Sequence, residues 1–385
     1  MNPIFKGNTR SRLYISVLLK FWLCHLASIL WTSFSIYISL PWLEDLARVF
    51  PFPLALVIIS GIAYIPGYLN TFLAVSLLMD KQPPFRDKYP ENSITVLVAA
   101  RNEENSITDT ISYIARQDFT GKIKVLVIDN GSTDNTAEKA LLAGEAMNMD
   151  LSVLREENPG KFNALNTGLK HTDTELIITL DADTLLHKSA IRYLVARMES
   201  APQKVSAVAG SVLVRNSRHS MLAKIQEWDY FLGISSIKRL QGLYQGTLVA
   251  QGAYSIYRTE AVRSIGGWPD AIGEDIVLTW KLLKQGGLIY FEPLAVAFTD
   301  VPTTIRSFVR QRSRWARGMI EALRQIKPWQ QPLVYTRYLT GINLLMPFLD
   351  FTYTFFWLPG LILAFFGYYW IVGPMTLLVL PLTLL

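Results

Sequence analysis

The chain has 385 residues; half are hydrophobic, 18% are charged, and 37 lysines and arginines face 31 acids, a formal charge of +6. Such a balance argues against a fully soluble protein, and the basic excess fits cytoplasmic loops that follow the positive-inside rule. The one cysteine, Cys24, excludes intrachain disulfides and cysteine metal centres, and the chain carries no nucleic-acid-binding motif.

Residues 13–40 are interrupted only by Lys20 and His25 among the charged and imidazole side chains, and residues 51–79 carry no charge. A bilayer span needs roughly 20 apolar residues, so both runs qualify. The first is too long for a cleaved signal peptide and no small-residue cleavage site closes it. Lys6, Arg10 and Arg12 precede it, and Lys81, Arg86 and Lys88 follow the second run. This asymmetry predicts a cytoplasmic amino terminus and a cytoplasmic central domain. Residues 81–91, with Pro83, Pro84 and Pro90, read as a linker.

In the central domain, apolar β-branched runs predict strands over 94–99, 123–128, 151–154, 176–180 and 205–212. Helical spacing predicts helices over 107–115, 133–147, 161–170 and 276–284. Alternation of the two implies an α/β fold with a mostly parallel sheet, whose ligands bind outside the carboxyl ends of the strands. Asp129 and Asp181 stand at two such ends.

Two later segments are amphipathic. Residues 221–245 place Leu222, Ile225, Trp228, Phe231, Leu232 and Ile237 on an apolar face, with Lys224, Glu227, Lys238 and Arg239 between; packing against the sheet is expected. Residues 316–336 repeat the pattern with Met319, Ile320, Leu323, Ile326 and Trp329 and lead into an apolar block, so a place at the bilayer interface is expected there. The final block reads as two spans, 340–363 and 368–385. Its one charge, Asp350, either faces a watery path or sits at a helix end near the interface. The expected division is 1–80 with two membrane helices, 81–315 as the cytoplasmic domain, 316–336 as an interface helix, and 337–385 as carboxy-terminal membrane helices.

Each chemical motif has a bland reading beside a functional one. Asp129 opens the turn Asp129-Asn130-Gly131-Ser132, as aspartates commonly do, but from a strand end it can also bind a ribose or a uracil N–H. Asp181-Ala182-Asp183 ends an apolar strand; one acid can face a nucleotide and the other a Mg2+ or Mn2+ ion shared with a diphosphate. Gly273-Glu274-Asp275 precedes a helix and can simply cap it, or place a carboxylate where an acceptor hydroxyl loses its proton. Gln311-Arg312-Ser313-Arg314-Trp315 is a basic membrane-proximal helix with an anchoring tryptophan. It also offers Arg314 as a fork for pyrophosphate, Trp315 as a face for a sugar ring and Gln311 as an acceptor contact.

In this order and spacing the motifs resemble the membrane-bound, processive members of glycosyltransferase family 2, over residues 92 to about 325 and the flanking spans. That family includes cellulose, hyaluronan, chitin-oligosaccharide and poly-N-acetylglucosamine synthases. Lys224-Ile225-Gln226-Glu227-Trp228-Asp229-Tyr230 and Phe291-Glu292-Pro293 look most like the last group. The resemblance implies a Rossmann-like glycosyltransferase-A fold on the cytoplasmic face of a bacterial-type plasma membrane, flanked by transmembrane and amphipathic interface helices. It implies that Ala100, Asn102, Glu103, Asp129, Lys161, Asp181, Asp183 and Arg314 contact the nucleotide-sugar donor, with Asp183 as the metal ligand. It implies Asp275, with Glu274 beside it, as the catalytic acids, Asp275 being the base. Gln251, Gly252, Gln311 and Trp315 are implied to line the acceptor. The expected activity is inverting transfer from a UDP-sugar, with UDP-N-acetylglucosamine favoured, to a growing β-linked glycan that is then exported. Mg2+ or Mn2+ is the expected cofactor, and membrane lipids and an accessory export subunit are compatible partners. Alternatives from other classes are a ceramide-glucosyltransferase-like enzyme that adds one sugar to lipid, and a transporter that senses nucleotide sugar. The chain departs from the poly-N-acetylglucosamine pattern at Gly273, where threonine is usual, and at Ala100, where threonine or cysteine is common.

Overall fold

The apolar β-branched runs of the central domain lie side by side in one sheet of the computed structural model, which describes residues 15–373. The sheet holds β1 (Ile94–Ala100), β2 (Ile123–Asp129), β3 (Asp150–Arg155), β4 (Leu176–Asp181), β5 (Leu185–Leu186), β6 (Val205–Val214), β7 (Tyr254–Arg258) and β8 (Leu288–Thr299), in the order β3-β2-β1-β4-β7-β6-β8-β5. From β3 to β4 all neighbours are parallel. Strand side chains alternate between faces, and both faces of β1 are covered. Ile94, Val96 and Val98 share a core with Ile107, Ile111 and Ile114 of the Ile107–Ala115 helix, while Leu97 meets Gly168 of the Lys161–Lys170 helix. Burial on both faces explains why these strands read as unbroken apolar runs.

Beyond β4 the sheet is mixed. β7 runs antiparallel to β4 and β6, β6 and β8 are parallel, and the short β5 closes the edge antiparallel to β8. Neither β7 nor β8 is among the strands read from the sequence. β8 carries Glu292 and Pro293 in its middle, and its register with β6 jumps there, from the pair Ala209–Phe291 to the pair Ser211–Val296. A proline lacks the ladder N–H, so it is tolerated in a strand at such an irregularity.

The first amphipathic segment differs from the expected packing against the sheet. In the Met221–Tyr230 helix, which a π-helical turn Phe231–Ile237 follows, the buried residues are Ala223 and Gln226, whose Nε2 donates to Pro302 O at 2.8 Å. Ile225, Trp228, Phe231, Leu232 and Ile237 are exposed, so the apolar face points away from the sheet. Small Ala223 and the hydrogen-bonded Gln226 take the inner side instead. The Ile305–Gln325 helix, in contrast, packs Met319, Ala322 and Leu323, with Ile326 just beyond it, against Ile276, Val277 and Trp280 of the Glu274–Lys284 helix. It leaves Ile320 exposed, as is Trp329 further on.

The chain divides into two compact units, residues 80–347 around the sheet and residues 1–79 with 348–385. In the second unit the Val17–Ala47 helix is followed by Phe52–Ile59, a π-helical turn Ser60–Tyr64 and Ile65–Met79. Among the described residues, three helices are long and apolar enough to cross a membrane: Val17–Ala47, Phe52–Met79 and Val334–Phe365. The last contains the expected span 340–363, whereas most of 368–385 lies outside the described residues. Inside this unit Cys24 is buried and accepts from Ser76 Oγ at 3.3 Å, Lys20 Nζ donates to Met79 O at 3.0 Å, and Asp350 is exposed.

Candidate active site

The register of the parallel strands aligns the first candidate residues. Ala100 pairs with Asp129 across β1 and β2, and Ala99 pairs with Asp181 across β1 and β4. Three adjacent strands therefore end together, with a carboxylate on each side of β1. Asp129 is buried, and its Oδ1 accepts from Ser132 N at 3.1 Å, which closes the turn. The methyl of Ala100 is buried in the core, and its carbonyl accepts from Asn130 N at 2.9 Å. Asn102, with φ of 57°, accepts at Oδ1 from Thr133 N at 2.8 Å. Glu103 Oε2 accepts from Ser106 Oγ at 2.6 Å. The side chains of Asn102 and Glu103 thus brace the loop that rims these strand ends.

Asn130, absent from the sequence candidates, connects this turn to Lys161. Its Nδ2 donates to Glu156 O and Asn158 O, and its Oδ1 accepts from Gly160 N at 2.8 Å. Gly160 has φ of 132°, a conformation that favours glycine. From the start of the next helix, Lys161 donates to Asp181 Oδ1 and lies 3.9 Å from Glu274. Burial opposes its charge, but Asp181, Glu274 and Asp275 outweigh burial and hold the ammonium above the ordinary lysine range.

Gly252 is where Lys161 meets the second acid motif. Its N–H donates to Asp275 Oδ2 at 3.1 Å. A Cβ on Gly252 would stand 2.8 Å from Lys161 Nζ and 3.5 Å from Glu274 Oε1, so a side chain there would push the ammonium from its place beside the acid. The loop is fastened again one helical turn on, where Ala250 N donates to Thr279 Oγ1 at 3.0 Å. Gln251 Nε2 donates to Gly210 O at 2.9 Å, so its amide braces the loop. Burial and the neighbouring Asp275 push the Glu274 carboxyl up to about 7, against the pull of Lys161. Asp183 is pushed up to about 6 by burial, Asp181 and Glu103.

The Gln311–Trp315 segment reaches this acid cluster through Tyr230. The Tyr230 ring is 6.1 Å from that of Trp315, and burial, with Asp229, Asp183 and Asp181 adding to it and Arg312 opposing, pushes its phenol up to about 12. Arg312 pairs with Asp229 and lies 4.6 Å above the Trp315 ring. Gln311 Oε1 is buried without a hydrogen-bond partner. Arg314, the expected donor contact, is exposed on the same helix. Trp315 is 39% exposed.

A family model described as glycosyl transferase family group 2 matches residues 176–384, more than half of the chain. The chain belongs to this family. Among curated relatives of this glycosyl transferase, a poly-beta-1,6-N-acetyl-D-glucosamine synthase of Staphylococcus aureus strain MSSA476 is 38% identical over 231 residues, covering 60% of this chain and 55% of that one. The synthase of Staphylococcus epidermidis strain ATCC 35984 is 34% identical over 279 residues, covering 72% and 66%. The matched region thus spans little more than half the length of the first of these relatives. Among solved structures, the mannosyltransferase PcManGT from Pyrobaculum calidifontis, in complex with GDP-Man and Mn2+, superposes with a TM-score of 0.59 at 22% identity, covering 77% of this chain and 85% of that one. At that identity the likeness speaks for the fold of the glycosyl transferase alone.

Sequence reasoning on this glycosyl transferase missed Asn130, Tyr230 and Gly318. Asn130 stands inside the turn Asp129-Asn130-Gly131-Ser132, and Tyr230 inside Trp228-Asp229-Tyr230, but their roles depend on partners 26 or more residues away. Gly318 sits one turn beyond Trp315, and the close approach that gives it meaning is visible only in three dimensions.

Proposed function

We propose that the chain is an inverting membrane glycosyltransferase that polymerises β-linked N-acetylglucosamine from UDP-N-acetylglucosamine and passes the product across the membrane occupied by its apolar helices. The names of the staphylococcal relatives, poly-beta-1,6-N-acetyl-D-glucosamine synthases, support the sugar. The observation that carries the chemistry is the meeting at Gly252, whose N–H holds Asp275 and whose missing side chain leaves space for Lys161 beside Glu274.

Asp129 and Asp181 hold the uridine side of the donor at the strand ends. Lys161 and Arg314 offer positive charge to its diphosphate. Asp275 accepts the proton of the acceptor hydroxyl while that oxygen forms its bond to the anomeric carbon. The bond from that carbon to the diphosphate breaks, and UDP leaves with the electron pair. In-line attack on an α-linked donor yields a β-linkage. Trp315 and Gln311 hold the acceptor end, the unpartnered Gln311 Oε1 taking a hydroxyl proton donor.

The acids fit a divalent cation. Asp183 offers a hard oxygen donor, and positive charge there would offset the burial and the Asp181 and Glu103 charges that push its carboxyl upward. Among the described residues no group of three histidines, cysteines or acids is placed to hold an ion alone, so Asp183 would hold it only together with oxygens of the donor and water. When bound, Mg2+ or Mn2+ supplies charge to the diphosphate.

Asp275→Asn tests the assignment. Transfer, read as UDP release by the purified full chain, is expected to vanish while UDP binding persists. Transfer at the wild-type rate sinks the base, and a single sugar on lipid in place of long chains sinks the polymerase.

A further inference from the structure

Lys238 belongs to none of the motifs above, yet its ammonium ends in the loop that holds Asp275. It is the first residue of the Lys238–Leu243 helix, and its Nζ donates to Val249 O at 3.2 Å and to Gln251 Oε1. The other end of that amide donates to Gly210 O on β6 at 2.9 Å. Lys238 and β6 therefore hold Gln251 from two sides, and the next residue, Gly252, presents its N–H to Asp275 Oδ2. The opposite flank of the loop is tied by Ala250 N to Thr279 Oγ1 and by Tyr257 Oη to Ala250 O at 2.6 Å. A surface lysine would keep its ammonium in water; this one spends two donors on the backbone and side chain of a single loop.

We propose that Lys238 is a positioning residue for glycosyl transfer: it fixes the loop 249–252 so that the Gly252 N–H orients the Asp275 carboxylate toward the acceptor hydroxyl. The inference rests on the reading of Asp275 as the base. It deepens that reading by adding a cation that acts through Gln251 and Gly252 without touching substrate.

The charge is part of the device. Burial lowers the Lys238 ammonium to about 7, opposed by the Asp275 carboxylate. Asp275 is the facing charge, with Glu274 beside it and Lys161 3.9 Å from Glu274; on its own helix, Arg239 is occupied by Asp80 at 2.9 Å. Below neutral pH the ammonium is charged and grips both acceptors. As pH rises through about 7 it loses a proton, and with it one donor and the charge.

The test uses the purified full chain, UDP release from UDP-N-acetylglucosamine, and separate measurement of UDP binding. A misplaced base loses on the order of a hundredfold in rate. Lys238→Met is expected to lower kcat by about that factor while leaving the Kd for UDP unchanged. Lys238→Arg, which keeps its charge at any working pH, is expected to restore most of kcat and to move the alkaline decline of the pH profile upward. Should Lys238→Met fail to bind UDP or to melt cooperatively, Gln251→Met severs the same link from the loop side. That variant is expected to show the same kcat loss, and in combination with Lys238→Arg no rescue. A wild-type kcat in Lys238→Met, or a loss that arginine neither restores nor shifts in pH, overturns the proposal. A wild-type rate in Asp275→Asn removes the reading beneath it, whereas an inactive Asp275→Asn beside a fully active Lys238→Met overturns the positioning role alone.

Discussion

Gly273 and Gly318 meet backbone to backbone: a Cβ on Gly273 would lie 2.9 Å from Gly318 Cα, and a Cβ on Gly318 would lie 2.9 Å from Gly273 Cα. Gly273 has φ of −108°, which any residue adopts, so the requirement for glycine is steric. The contact joins the residue before Glu274-Asp275 to the helix that carries Gln311 and Trp315. Ile272 N, donating to Glu321 Oε2 at 2.9 Å, fastens the same junction. The two halves of the candidate site are thereby held together by the absence of two side chains.

The first prediction follows from that contact. In an open helix, glycine to alanine gains about 1 kcal/mol. At Gly318 the added methyl has to displace Gly273, and overpacking costs roughly 1–3 kcal/mol. Gly318→Ala is expected to lower the thermal midpoint and the rate of UDP release together, and Gly273→Thr to do so more strongly. A raised midpoint with unchanged turnover in Gly318→Ala would show that the junction yields freely.

Lys161 gives the second prediction. It is bound to Asp181 and stands 3.9 Å from Glu274, so its removal leaves two acids facing each other and the diphosphate without a cation. A hydrogen bond to a charged group contributes about 1.5–3 kcal/mol. Lys161→Met is therefore expected to weaken UDP binding roughly tenfold to a hundredfold by calorimetry. Unchanged UDP affinity in a folded Lys161→Met protein would remove Lys161 from the donor site.

The donor half was the more legible part of the chain. β1, β2 and β4 are apolar runs that stop at Ala100, Asp129 and Asp181, and parallel pairing needs only those runs to place the three ends together. The acceptor half was less legible because its geometry is tertiary. Gly252 and Asp275 are 23 residues apart, and nothing in either local sequence announces the hydrogen bond between them. β8 was hidden by Glu292 and Pro293, which read against a strand. The stripe Ile225, Trp228, Phe231 was visible as an apolar face, but which side of a helix packs inward depends on neighbours, here decided by Ala223 and Gln226.

The third prediction concerns Glu292, part of a segment that carries the family resemblance, which is built into the core. Arg197 and Glu292 side chains are 4% and 1% exposed, with Nε and Oε2 2.6 Å apart. Arg197 Nη1 also donates to Pro83 O at 2.7 Å, and its guanidinium lies 4.5 Å from the Phe85 ring, which ties residues 81–91 to β8. Removing one member of a buried pair costs about 3–5 kcal/mol, whereas replacing both with apolar residues is often neutral. Arg197→Met alone is expected to lower the thermal midpoint sharply, and Arg197→Met with Glu292→Met to recover most of it. Failure of the double variant to recover would locate the effect in the Pro83 and Phe85 contacts.

The fourth prediction is the pH dependence of Glu274. Burial and the Asp275 charge raise its carboxyl to about 7 from 4.5, with Lys161 pulling the other way. A raised carboxyl means that between 4.5 and 7 the folded protein binds a proton that the unfolded chain has released, so stability from this group falls as pH rises through that window. Above about 7 the folded protein carries the anion at full cost. Glu274→Gln removes that cost. Its stability is expected to exceed that of wild type above neutral pH by roughly 3 kcal/mol, read as a higher thermal midpoint, with the difference closing as pH falls toward the ordinary carboxylate range. The measurement is a melting series of the purified protein against pH. A wild type that gains on Glu274→Gln as pH rises would mean that Lys161 holds Glu274 as an anion, reversing the order of the two influences.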